Sequence, residues 1–120
     1  MTKPVFGFID SDRKVDQSIQ QIILRDFATK KGYTIEFVGA EIVGTEQEHR
    51  LFKSYINQGI WPAYIFFSIE QFRSNFGFNL ESIKSALACN ITILFACEKL
   101  TIEGMQDLEN IKQEIAFASK

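Results

Sequence analysis

The sequence predicts a three-layer α/β fold on a mainly parallel sheet of four to five strands. Two observations carry this. Four short runs are rich in β-branched and aromatic residues, and stretches with apolar residues three and four apart separate them. The order reads βαβαβαβα, which places helices against a mainly parallel sheet. No repeat, linker or low-complexity segment interrupts the 120 residues, so one domain is expected.

Pro4 to Ile9 is a short apolar run that ends at the turn-prone Asp10-Ser11-Asp12, and reads as a buried strand. A helix follows, with Ile19, Ile22, Ile23 and Phe27 predicted on one face and a stop at Gly32 after Lys30 and Lys31. Tyr33 to Val38 is the second strand. Thr45 and Glu48 form a capping-box pattern ahead of a helix with Leu51, Phe52, Tyr55 and Ile56 on its apolar side, and Gly59 ends it. Ala63 to Phe67 is bulky on both faces and is expected at the centre of the sheet. Ser68 to Asn79 is a long connector or a loop that begins a helix, and Leu80, Ile83, Lys84 and Leu87 carry that helix on. Ile91 to Cys97 is the fourth strand, and Glu103 to Ala118 closes the chain as a helix.

Composition narrows the function classes. The chain is 46% hydrophobic and 23% charged, with a net charge of −2, which excludes a strongly basic nucleic-acid binder. Phe outnumbers the other aromatics, 12 against 3 Tyr and 1 Trp, and brings area without a polar handle, as cores and interfaces need. Two cysteines are too few for a disulfide framework. Cys89 and Cys97 read as buried small hydrophobes. The longest apolar stretch, Ile60 to Phe67, is too short to span a bilayer. A cytoplasmic protein with no membrane association is expected. His49 lies among charged residues with no second histidine and reads as a surface residue.

In such folds, sites form at the carboxyl ends of the strands. Here these ends are Asp10-Ser11-Asp12, Val38-Gly39, Ser68-Ile69-Glu70 and Cys97-Glu98. Asp10-Ser11-Asp12 is open to three readings: a helix cap, a Mg²⁺ or phosphoacceptor site on Asp10 and Asp12, or a serine nucleophile. Phe72, Phe76 and Phe78 are core residues or, if exposed together, an interface.

Ser68-Ile69-Glu70-Gln71-Phe72-Arg73-Ser74-Asn75 resembles the Leu-Asp-Arg-Phe-x-Arg-Asn stretch of the serine site-specific recombinases, the resolvase/invertase family. Other segments agree in order. Val5 to Ser11 resembles that family's first strand, Gln17 to Gly32 its first helix, and Arg50 to Gly59 the helix after its Ser-Gly loop. Ile91 to Glu98 resembles its next strand, and Gly104-Met105 the opening of its final helix. The likeness covers roughly residues 4–110. It implies a resolvase-like (flavodoxin-like) sandwich, DNA as partner, and a homodimer.

The family's chemistry needs a serine that attacks a DNA phosphodiester and arginines around the phosphate. Transferred by position, Ser11 is the candidate nucleophile. The motif's Asp-Arg becomes Glu70-Gln71, its next arginine becomes Ser74, and Arg73 falls one position early. Glu46 takes the place of another arginine. A site lined by Asp10, Asp12, Glu46 and Glu70 repels a phosphodiester. No segment resembling the family's helix-turn-helix domain follows Ala118. The expectation is a single resolvase-like domain over residues 1–120 that has lost strand exchange, needs no cofactor, and acts by binding or oligomerisation. Two alternatives use Asp10 and Asp12: a receiver-like signalling domain and a small Mg²⁺-dependent α/β enzyme. A receiver, however, wants an Asp closing the third strand, where this chain has Ser68.

Overall fold

The structure, a computed structural model, describes residues 3–10, 16–41, 50–74, 77–78 and 80–118. Of residues 10, 40, 41, 50, 51, 73, 74, 77, 78 and 114–118 it describes the backbone only. The elements are β1 (Lys3–Asp10), α1 (Gln17–Lys30), β2 (Tyr33–Glu41), α2 (Arg50–Gln58) and β3 (Ala63–Phe66). A 3₁₀ turn (Ile69–Phe72), β4 (Arg73–Ser74), β5 (Gly77–Phe78), α3 (Glu81–Ala88), β6 (Thr92–Phe95), β7 (Leu100–Ile102) and α4 (Met105–Ala118) follow. Asp16 caps α1 by accepting from the Ser18 backbone N–H at 2.9 Å and its hydroxyl at 2.7 Å. These hydrogen bonds hold the Asp16 carboxyl below its ordinary pKa, with the Ser18 hydroxyl first in effect. Gly32 and Gly59, with φ of 83° and 65°, take the left-handed turns that stop α1 and α2.

The fold is α/β, with four α-helices among the described residues and a five-stranded mixed sheet in the order β2-β1-β3-β6-β7. β2, β1, β3 and β6 are mutually parallel, and β3 is central, buried at all four positions. The fifth strand, β7, is not one of the four runs read from the sequence. After Phe95 the chain reverses over four turn residues, with Lys99 at φ 57°, and β7 pairs antiparallel with β6. So short a connection cannot make a parallel crossover, so the new strand runs back beside its predecessor. β4 and β5 form a separate two-residue antiparallel ladder inside the segment expected as a connector.

Alternation along the strands gives the sheet two unlike faces. One carries Phe6 and Phe8 of β1, Tyr64 and Phe66 of β3, and Ile93 and Phe95 of β6, packed with Phe52 and Ile56 of α2, Ile83 and Leu87 of α3, and Leu108 and Ile111 of α4. The other is mainly aliphatic. It carries Val5, Ile9, Ala63, Ile65 and Leu94 against Leu24, Phe27 and Ala28 of α1. Helices on both sides are compatible with a three-layer sandwich. On the aromatic face Phe66 is the hub, with ring centroids 5.1 Å from Phe8, 5.0 Å from Phe52, 4.8 Å from Phe72 and 5.9 Å from Phe95.

Three expectations about side chains are corrected. α1 buries Gln20, Leu24, Phe27 and Ala28, whereas Ile19 and Ile22 are 49% and 67% exposed. The helix is rotated by about one residue from the expected face, because Leu24 and Ala28 fit the sheet and Gln20 goes inside with them. Cys89 and Cys97 are both exposed, since each lies just past its helix or strand, in a turn. Phe72 is fully buried between Phe66 and Phe95, so it belongs to the core and not to an exposed interface.

Candidate functional site

Because β1, β3 and β6 are parallel, their carboxyl ends meet at one edge of the sheet. Pairing runs past the strands there. The Phe67 N–H donates to the Phe8 carbonyl at 3.1 Å, and the Ala96 and Cys97 N–H groups donate to the Phe66 and Phe67 carbonyls at 2.9 Å. This extra length sets Ser68 and Glu98, thirty positions apart, side by side.

The Ser68 hydroxyl donates to Glu98 Oε2 at 2.8 Å, and the Ile69 N–H donates to Glu98 Oε1 at 3.0 Å. The Glu70 N–H donates to Ser68 Oγ at 3.1 Å. Gln71 completes the cluster: its Oε1 accepts from the Ser68 N–H at 2.9 Å and its Nε2 donates to the Phe8 carbonyl at 3.4 Å. Ser68 and Gln71 are buried, whereas Glu98 is largely exposed. The network joins the ends of all three strands.

A serine hydrogen-bonded to a carboxylate has the form of a nucleophile and base. Here, however, the hydroxyl is shut off from solvent and already accepts from a backbone N–H two residues on, the pattern of a serine turn. The arrangement is suited to bracing the edge rather than to attacking a substrate.

Of the residues singled out from sequence, Glu70 lies in the 3₁₀ turn beside this cluster, half-buried. Asp10 ends β1 and Arg73 opens β4, where it pairs with Phe78 of β5. The side chains of these last three lie outside the described residues, as do Ser11, Asp12, Glu46 and Phe76 altogether. Among the described residues, no three His, Cys, Asp or Glu side chains come together to hold a metal. No helix among them is long and apolar enough to cross a membrane.

Sequence reasoning named the Ser68 and Glu98 edges but missed their direct bond and the part played by Gln71. A polar residue closing each of two parallel strands was the available signal. It also missed Tyr64, whose hydroxyl is buried on the aromatic face without a hydrogen-bond partner among the described residues. Burial, with Tyr55 nearby as a lesser cause, pushes this phenol up to about 12. The chain matches no protein-family model and no curated protein.

Proposed function

We propose that this chain is a resolvase-like domain that has lost DNA strand exchange and acts by binding or oligomerisation. The observation that carries this reading is the state of Gln71. The resemblance puts it where the recombinase motif has an arginine, which the family's chemistry needs at a phosphate. Here the position holds a neutral amide, buried, with Oε1 on the Ser68 N–H and Nε2 toward the Phe8 carbonyl. A residue used in this way braces the sheet edge and cannot reach a ligand without breaking it.

The neighbouring groups point the same way. The motif's aspartate is replaced by Glu70, and the Glu98 carboxylate lies at the same edge. Two carboxylates raise the cost of bringing a phosphodiester here, and losing a single donor to a transition-state oxyanion typically costs ~10²–10³ in rate.

A covalent-trapping assay on nicked duplex DNA tests this. No protein–DNA adduct is expected; an adduct that disappears in Ser11→Ala overturns the proposal. Thermal melting with Mg²⁺ and beryllofluoride tests the carboxylate alternatives: no shift in Tm is expected, and a shift abolished by Asp10→Asn or Asp12→Asn replaces this reading with one of them.

A further inference from the structure

Among the described residues, α1 is the one helix on the aliphatic face of the sheet, against three on the other. A helix is about 10 Å wide and five strands span about 19 Å between their outer axes. Beside α1, toward the turn after β6, lies a groove of about 680 Å³. Its apolar lining includes Ile22, Ile23 and Ala96, with Lys30, Lys31 and Lys99 around it and Asp26 as the acidic residue.

Two features make it more than a surface dent. Ile22 is 67% exposed and Ile19 is 49% exposed on the same helix that buries Gln20, an inversion of the usual inside and outside. The lining is also locally basic, three lysines against one aspartate, on a chain whose net charge is −2. Lys30 contacts Asp26 at 3.0 Å, but both are about two-thirds exposed, so this pair restrains the cation weakly. Lys31 lies 5.7 Å above the Phe27 ring.

We propose that this groove docks an acidic amphipathic helix of a partner protein. Its apolar side chains cover Ile22, Ile23 and Ala96, and its carboxylates meet Lys30, Lys31 and Lys99. A second copy docking groove to groove fits less well, because it sets Lys30, Lys31 and Lys99 against the same three lysines, with Asp26 as the acidic residue on each side. Nucleic acid fits less well too, since a phosphate backbone is held by hydrogen-bond donors and much of this lining is apolar, with Ile22, Ile23, Phe27 and Ala96. The inference rests on reading the chain as a binding domain; the recombinase likeness is not needed for it.

The test titrates the full chain against a fluorescein-labelled peptide of roughly 18 residues, long enough to hold a helix. Leucines lie along one face and glutamates flank them; a control peptide has lysines in place of the glutamates. The acidic peptide is expected to bind about tenfold or more tighter than the control, with affinity falling as salt rises. Lys30→Glu with Lys99→Glu, and separately Ile22→Ser, should each weaken it about tenfold. All three positions are solvent-facing, so the fold is retained. Bound peptide should slow maleimide labelling of Cys97, which lines the groove, but not of Cys89 at the end of α3. Equal binding of the two peptides, or none, overturns the proposal. So does a dimer whose Cys97 is already protected, or an oligonucleotide that displaces the acidic peptide. A DNA adduct in the trapping assay would instead overturn the proposed function and leave the groove untouched.

Discussion

Glu98 holds Ser68 and the residue after it together: one carboxylate oxygen accepts the Ser68 hydroxyl at 2.8 Å, the other the Ile69 N–H at 3.0 Å. Replacing Glu98 with Ala leaves both donors without this partner, and Ser68 is buried. Leaving buried donors unpaired costs about 1–3 kcal/mol. Denaturant unfolding of Glu98→Ala should show a loss in that range. Glu98→Gln, which keeps one acceptor oxygen, should lose less.

Restoring an arginine at Gln71 should harm the protein rather than revive an activity. The site is buried and shaped for an amide that contacts the Ser68 N–H and the Phe8 carbonyl. An uncompensated buried charge costs about 3–5 kcal/mol. Gln71→Arg is expected to lower stability by that order and to form no covalent DNA adduct, which unfolding curves and the trapping assay would measure together.

Phe66 packs against four other rings on the aromatic face. Phe66→Ala should therefore cost about 3–5 kcal/mol, as expected when a large buried ring is removed from a packed interior. Phe66→Leu should cost less. A larger loss for Leu than for Ala in chemical denaturation would contradict this account of the core.

Tyr64 offers a test against pH. Its phenol is raised from 10.0 to about 12 by burial. Protonation is thus favoured in the folded state, and the associated stability is fully present below about pH 10 and lost as pH climbs toward 12. Tyr64→Phe should remove this part of the alkaline transition. It should also stabilise the protein by about 1–3 kcal/mol at neutral pH, because it deletes a buried hydroxyl with no partner among the described residues. Alkaline melting curves of the two proteins would check both effects.

Much of the fold was legible because its signals are local. Ala63 to Phe66, apolar at every position, reads directly as a central strand, and Gly32 and Gly59 mark the helix ends where a positive φ is needed. α1 misled because periodicity favours Ile19 and Ile22 over Gln20, and only the sheet decides which stripe faces inward. β7 was hidden because Leu100–Ile102 is too short to show alternation and depends on pairing with β6. At the candidate site, the bond from Ser68 to Glu98 could not be read from residues thirty positions apart, since the register of β3 and β6 creates it.

The unlike faces of the sheet have an optical consequence. Trp61 sits at the rim of the aromatic side, with edge contacts to Phe6 at 5.7 Å and Phe37 at 5.8 Å. Its intrinsic fluorescence and the near-ultraviolet dichroism of the clustered rings will chiefly register events on that side. The α1 side, with Phe27, Phe67 and Tyr33 among the described residues, lacks the tryptophan and contributes less. A ligand or a loosening there will register weakly in tryptophan emission, and a dye on Cys97 gives that side a channel of its own.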